Sequence, residues 1–599
     1  MDQRKEVAAL GVSGGDELRR SRQSNSGWVN CFVKRQKRGQ DELPGCVSFG
    51  LSDMSIGKEA QPKEQTEEEK KKMRMEERKL PLGIQSFEKI IESGNLYVDK
   101  TEYIYHLVHT NVPYFLSRPR RFGKSLLLST LKAYWEGKKE LFKGLKIETL
   151  EQDNPEAWQP HPVFYLDFNK TNYAEKGMLE SALEVYLLEW EKSYGETPHE
   201  LPLSLRFGQL LKAAAEQTGK KCVVLVDEYD KPLLETMENK ETVEHNKAVF
   251  KGFFSNLKSE DAHIRFIFIT GVTKFSKVSI FSDLNQLWDI SITMDYAEIC
   301  GITETELREG FMPEIRRMAA EQELTTEECL DRLKKEYDGY HFHPKGRGVY
   351  NPYSLLGALA SREFDAYWFE TGTPTFLVKR LKEMNFDTRK FTNGTLFATK
   401  RMLKDYRDDN PDPVPLLYQT GYLTIADVDD EKGAYILSFP NEEVKYGFLE
   451  SLLPMYVGNV GAGSGKDILT LSKYVESGEL DSIRSVFEAL FAGIPYPTNE
   501  TPFEHDFQSV FYITFTLLGQ YVQCETHTNT GRIDCLIETK RFLYIFEFKR
   551  DDSAEAALRQ IEEMHYALPY AADKRILYKI GVSFDTKTRQ LADWKVKKD

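Results

Sequence analysis

Between residues 112 and 270 the chain carries four short apolar runs, Val112–Leu116, Val163–Phe168, Cys222–Val226 and Ile264–Ile269, each closed by polar or turn-forming residues. Runs of this length, rich in Val, Ile and Phe, predict strands buried on both faces of a sheet. The segments between them change to helical spacing, at Leu126–Trp135, Met178–Glu191 and Ser204–Gln217, and a last strand is expected near Leu287–Ile292. Strands alternating with helices predict a parallel α/β sheet, with its ligand beyond the carboxyl ends of the strands.

The flanks read differently. Residues 1–79 are rich in Gly, Ser, Lys, Arg and Glu, and read as a disordered charged tail; Met54, Met73 and Met75 within it are candidate translation starts. Helical spacing resumes at Phe87, Ile90 and Ile91. Residues 301–400 are helix-rich, then aromatic at Tyr350, Tyr353, Tyr367, Trp368 and Phe369, which suits a helical lid with the rings as core rather than a base-stacking platform. Tyr422–Val428 and Ala434–Phe439, separated by DDEKG, predict a hairpin and, with the preceding helix, a winged-helix-like unit. From Glu504 a long apolar helix (Phe507–Leu518), a strand at Tyr521–Glu525 and a hairpin with its tip at Thr539–Arg541 follow. The expected boundaries are 1–79, 80–300, 301–495 and 496–599.

Composition narrows the class. A chain of 599 residues exceeds one core, and 41% hydrophobic with 12% aromatic residues are globular values. A net charge of -14 argues against coating nucleic acid through bulk charge and leaves room for a local basic groove. In residues 501–599, 14 Lys plus Arg stand against 15 Asp plus Glu, so charge there is uninformative. Seven scattered Cys without a CxxC pair argue against a disulfide scaffold or zinc site and for a cytoplasmic setting. No apolar run reaches the roughly eighteen residues of a membrane span, so no membrane partner is expected.

The first candidate chemistry lies where the Val112–Leu116 strand breaks into a basic turn and Gly123-Lys124-Ser125 opens a helix. That order is a phosphate-binding loop: Gly lets backbone N–H groups approach a phosphate, Lys supplies a point charge and the Ser hydroxyl can ligate Mg²⁺. The usual pattern has Gly five residues before Gly123, and here that residue is Arg118. A second strand ends in Asp227-Glu228, where Asp227 suits Mg²⁺ held through water and Glu228 suits polarising the attacking water. At the tip of the next strand Thr270 is the candidate for sensing a γ-phosphate, with Lys274 a second. Asp230 reads as part of a polar turn, and Asp99 either as a neighbour of the nucleotide or as a helix cap. The string Gly461–Lys466 imitates a phosphate loop but has Val460 at the Gly position and Asp467 at the hydroxyl position, and reads as a flexible linker.

The second candidate chemistry lies in the C-terminal hairpin. Period-two alternation puts Leu543, Ile545, Glu547 and Lys549 on one face and Phe542, Tyr544, Phe546 and Phe548 on the other, and Asp534 can meet Glu547 and Lys549 if the hairpin pairs in register. Two carboxylates beside a Lys can hold Mg²⁺ and activate water against a phosphodiester.

The strings LPLGIQSFEKI, YVDKT, RPRRFGKSL, VVLVDEYDKPL, ITGVTKFSKVSIFSDLN, NPYSLL, YWFETGTPTFL and LLYQTGYLTI resemble the AAA-ATPase-like family, commonly joined to a PD-(D/E)xK nuclease-superfamily domain. The resemblance implies a P-loop AAA/ASCE-type parallel sheet, a helical and winged-helix-like middle and a restriction-endonuclease-like C-terminal α/β domain. It makes the basic loop, Arg118 included, the family's usual form, with Arg121 among the nucleotide-binding residues. It also adds Glu504 on a helix and Gln560 on the following helix to Asp534, Glu547 and Lys549, with Met564 departing from a Lys frequent in relatives. The implied function is ATP binding and hydrolysis on Gly123, Lys124, Ser125, Asp227, Glu228 and Thr270, with Mg²⁺ at Ser125 and Asp227, controlling a Mg²⁺-dependent nuclease with metal at Asp534 and Glu547. DNA and RNA are both open as partners, as is the oligomeric state. The alternative is an ATP-driven switch whose C-terminal fold binds nucleic acid or protein without cutting.

Overall fold

The computed structural model describes residues 78–599 apart from 276–286, 371–374, 385, 387, 392–395, 405, 407–411, 458–463, 493–502, 520–522, 527–533, 586–587 and 589. The proposed N-terminal tail and translation starts lie outside the described residues.

Five strands, β1 (Tyr114–Ser117), β2 (Val163–Asp167), β3 (Cys222–Asp227), β4 (Ile264–Gly271) and β5 (Trp288–Asp289), form one sheet in the order β2-β3-β4-β1-β5. Every pairing is parallel. All six residues of β3 are buried, which is why its sequence is an unbroken apolar run: helices cover both faces of such a sheet. The strand that follows the phosphate loop in sequence, β2, lies at the edge, and β4 comes between β1 and β3. Parallel pairing brings Ser117, Asp227 and Gly271 to the same end of the sheet, and Arg118 N–H extends the β1–β4 ladder onto Gly271 O at 3.2 Å.

The middle of the chain follows. β6 (Ile302–Thr303) pairs antiparallel with β7 (Val349–Tyr350). Capping boxes at Thr303/Glu306 and Thr325/Glu328 start the helices Glu304–Gly310 and Thr326–Tyr337, each satisfying backbone N–H groups that a helix start leaves unpaired. Leu307, Phe311, Ile315, Met318, Leu330 and Leu333 form a separate apolar core there. Tyr350 and Trp368 are buried, in keeping with aromatics as core. β8 (Phe397–Thr399), β9 (Thr424–Asp429) and β10 (Ala434–Ser438) make an antiparallel sheet in the order β8-β10-β9, with the expected hairpin and the helix Val414–Thr420 before it. The linker expected at 461–466 needs correction: Ser464 opens the helix Ser464–Ser477, and 461–463 lie outside the described residues.

The C-terminal sheet joins β11 (Gln523–Thr526), β12 (Cys535–Glu538), β13 (Phe542–Arg550), β14 (Ile576–Asp585) and β15 (Gln590–Lys598) in that spatial order. All neighbours are antiparallel except β13 and β14, which run parallel through the helix Ala554–Glu563. Alternation holds along β13. Leu543 and Ile545 pack with Ile561 and Tyr566, while Phe546 and Phe548 stack at 6.0 Å and face Phe511 and Phe515 of the helix Phe503–Leu518. The α/β class, the parallel sheet and the mixed C-terminal sheet agree with the sequence reading.

Candidate functional sites

Gly123 adopts φ 91° as it caps the helix Lys124–Trp135, and a Cβ there would meet nothing within 4 Å. Backbone conformation, not space, therefore calls for glycine. Arg118, at the position where the usual pattern has Gly, is 1% exposed. Its guanidinium donates to Ser117 O (2.9 Å), Ser291 O (2.8 Å) and Tyr296 O (2.9 Å) and lies 3.9 Å from the centre of the Phe342 ring. It is a buttress under the loop.

Lys124 Nζ donates to Arg118 O (3.1 Å) and Pro119 O (3.2 Å) and pairs with Glu228 Oε1 (3.0 Å). An ammonium has three protons, so all three are engaged. Glu228 stands at φ 50°, the left-handed region, immediately after β3. Asp227 is buried. It accepts from Thr270 Oγ1 at 2.9 Å and from the Tyr165 hydroxyl at 3.4 Å, and lies beside Ser125. Burial, with the Glu228 charge adding to it, holds Asp227 above the usual carboxylate range.

Beside this cluster a cavity of about 670 Å³ is lined at its polar end by Arg120, Arg121, Gly123, Lys124, Ser125 and Glu228. Pro81, Ile84, Leu126 and Leu356 line its apolar part. Its size is that of a small-molecule site. Arg121, exposed and at φ 67°, lies 4.8 Å from the centre of the Tyr353 ring across the cavity.

Three neighbouring residues have partners of their own. Asp230, which the sequence allows as part of a polar turn, is fully buried, and its carboxylate accepts from the N–H groups of Val272 (3.1 Å) and Thr273 (2.6 Å), tying β3 to the end of β4. Asp99 precedes Lys100, the N-cap of the helix Thr101–Val108, and accepts from Thr101 N–H (2.9 Å) and Lys146 N–H (2.8 Å), the first residues of two helices. Lys274 is engaged with Asp289 at 3.0 Å.

In the C-terminal sheet the register Cys535↔Phe546 sets Asp534 opposite Glu547. Phe548 N–H donates to Asp534 Oδ2 at 2.9 Å. Lys549 Nζ lies 3.2 Å from Glu547 Oε1 and also donates to Gln560 Oε1, and the Gln560 amide reaches the Tyr566 hydroxyl at 3.5 Å. Glu547 is 2% exposed and its Oε2 is buried without a hydrogen-bond partner. Burial, then the nearby Asp534, pushes its carboxyl up to about 7. Burial raises Asp534 as well. Glu504 lies in the first turn of the helix Phe503–Leu518, and its side chain lies outside the described residues.

Family models match both regions: one described as Predicted AAA-ATPase over residues 81–281, and one described as PD-(D/E)XK nuclease superfamily over residues 502–594. A protein of Azotobacter chroococcum mcd 1, printed as "Uncharacterized protein in vnfD 5'region", is 36% identical over 533 residues, covering 87% of this chain and 99% of the relative. The chain belongs to the AAA-ATPase-like family and ends in a PD-(D/E)XK nuclease-superfamily domain.

For this AAA-ATPase-like chain the donor sets fit Mg²⁺. Glu547 offers a buried carboxylate oxygen with no partner beside a second carboxylate, and Asp227 and Ser125 face each other at the phosphate loop. Among the described residues no helix is long and apolar enough to cross a membrane. Sequence reasoning missed Tyr165, a second donor to Asp227 beside Thr270, because only the parallel register Leu166↔Val226 shows the two strands to be neighbours. It also missed Trp368, whose indole N–H donates to Arg120 O at 3.0 Å from 248 residues away.

Proposed function

We infer that the protein binds and hydrolyses ATP with Mg²⁺ at the Lys124 site, and that this site controls a Mg²⁺-dependent phosphodiesterase centre built on Asp534, Glu547 and Lys549. The family's domains support ATP and Mg²⁺ as the ligands, and the scattered, buried thiols Cys222, Cys300 and Cys329 suit a reducing cytoplasm.

The observation that carries the nuclease half is the unpartnered, buried Oε2 of Glu547. A buried carboxylate oxygen without a donor is costly, and a cation is the ligand that compensates it. Asp534 and Glu547 would hold Mg²⁺, which when bound would neutralise charge on the phosphodiester and lower the pKa of a water. Lys549, held by Gln560, would orient the attacking water, and Glu504 would join them.

At the first site Ser125 and Asp227 would hold Mg²⁺, with Thr270 and Tyr165 fixing the Asp227 carboxylate. Gly123, Lys124 and Arg121 would face the phosphates, and Glu228 would polarise the water. Thr270 then senses the γ-phosphate through Asp227, since its hydroxyl is donated there.

The test is nicking of plasmid DNA and of RNA with Mg²⁺, with and without ATP, by the wild type and by Lys124→Ala and Glu547→Ala. Cleavage that Glu547→Ala abolishes and Lys124→Ala uncouples from ATP is the expected result. A wild type that binds ATP and nucleic acid yet never cuts with Mg²⁺ or Mn²⁺ would replace the nuclease with a binding module.

A further inference from the structure

The phosphate loop is held by its own lysine and by a residue of the middle region. Two successive loop carbonyls, those of Arg118 and Pro119, accept from Lys124 Nζ, and the next, that of Arg120, accepts from the Trp368 indole at 3.0 Å. Trp368 is 5% exposed. Its main-chain N–H donates to Glu443 Oε1 at 2.7 Å, and its ring packs edge-on against Tyr422 at 5.3 Å. Gly421 completes the contact. It lies at φ 92°, where a Cβ would stand 2.6 Å from Pro119 Cβ, so only glycine lets the two backbones come this close.

Glu443 lies in the first turn of the helix Glu442–Val457, which packs along the helix Phe503–Leu518. Phe511 of that second helix meets the Phe548 ring at 4.0 Å, and Phe548 N–H is the donor to Asp534 Oδ2. A series of packed contacts, partly buried at Phe511 and Phe548, thus runs from the phosphate loop to the C-terminal carboxylates.

A physical cause for motion sits at its head. Lys124 cannot engage a phosphate without releasing at least one of its three present partners, so binding removes a donor from Glu228 or from a loop carbonyl. Were a carbonyl released, the loop would shift, while a buried indole N–H is costly to leave unpaired and so tends to follow Arg120 O.

The geometry points to Trp368 as the positioning residue that passes the state of the phosphate loop to the C-terminal centre. This rests on the ATP site argued above and names how that site regulates the second.

The experiment follows amide hydrogen exchange in the full chain with and without Mg²⁺ and ATP, alongside labelled-ATP binding, for the wild type and Trp368→Phe. Phe keeps the ring packing and removes the indole donor. ATP should change exchange in Phe503–Leu518 and Phe542–Arg550 of the wild type, and that change should be lost in Trp368→Phe while the change at residues 118–125 remains. A second pair guards against misfolding: Glu443→Gln, which keeps an acceptor for Trp368 N–H, should retain the distant change, and Glu443→Ala should lose it. If ATP binds and the distant change is the same in Trp368→Phe, or absent from the wild type, the link is refuted and the ATP site stands. If ATP binds neither protein, both fail.

Discussion

Lys124 Nζ lies 3.0 Å from Glu228 Oε1, so the lysine proposed to meet a phosphate and the carboxylate proposed to polarise water neutralise each other. The pair is largely buried, with side chains 3% and 16% exposed, so screening by solvent is weak. On the proposed assignment each would compete with the other, and a phosphate that drew Lys124 away would leave Glu228 uncompensated and able to act on water.

Glu228→Gln is therefore expected to act in opposite directions on binding and turnover. Removing the charge that competes for Lys124 should tighten ATP by about threefold to tenfold, at roughly 1 kcal/mol for one weakened ion pair. Phosphate release should fall by at least about a hundredfold, the contribution of a positioned base. Labelled-ATP titration and phosphate release measure the two; weaker ATP binding in Glu228→Gln would show that the pair does not compete with nucleotide.

Thr270 gives a second test, because its hydroxyl donates to Asp227 Oδ1 at 2.9 Å. Thr270→Val should lower ATP turnover by about tenfold or more, corresponding to about 1.5 kcal/mol at the low end for a hydrogen bond to a charged acceptor. In an Asp227→Asn background the same substitution should cost much less, since the carboxylate it holds is gone. Equal losses in both backgrounds would mean that Thr270 meets the γ-phosphate directly.

How much of this was legible beforehand depended on how local the cause was. β3 could be read from Cys222–Val226 because full burial leaves an unbroken apolar signature, and Glu547 and Lys549 could be put on one face because alternation is a property of neighbours in sequence. Asp230 could not: its donors, Val272 and Thr273, come from the end of a strand forty residues on, and a buried acid before Lys-Pro looks like any turn. Trp368 was read only as core, since nothing in its own stretch shows that Arg120 O lies against its indole. Linear pattern reports what an element buries; it is silent about which distant backbone atom a buried polar group satisfies.

Arg118 shows how a departure from the usual loop pattern can be structural. Its guanidinium bonds three carbonyls and no carboxylate, so its charge is dispersed over backbone dipoles and the Phe342 ring. Arg118→Gly, which restores the usual pattern, should destabilise the protein by about 3 kcal/mol by orphaning those carbonyls and opening a cavity. Thermal unfolding checks it, and a variant as stable as the wild type would show that Arg118 carries no structural load. Arg118→Lys should recover only part, because an ammonium cannot span the fork that the guanidinium fills.

Glu547 sets a pH dependence whose sign can be worked out. Its carboxyl titrates near 7 in the folded chain against an ordinary value of 4.5, so between those values the native state keeps a proton that the unfolded chain has released. Stability without metal therefore falls as pH rises through this window, by a term on the order of 2 kcal/mol. Asp534, also raised, contributes in the same direction. Mg²⁺ binds the ionised form and should reverse the trend, protecting little at pH 5 and strongly at pH 8. Other raised carboxylates, Asp227 and Asp230 among them, slope the same way, so the informative quantity is the difference between the wild type and Glu547→Gln. The amide should flatten the slope in EDTA and remove most of the Mg²⁺ protection, both read as melting temperature against pH. An unchanged slope in Glu547→Gln would mean that the unpartnered oxygen carries no titrating charge, and with it would go the strongest reason for assigning a cation to the C-terminal centre.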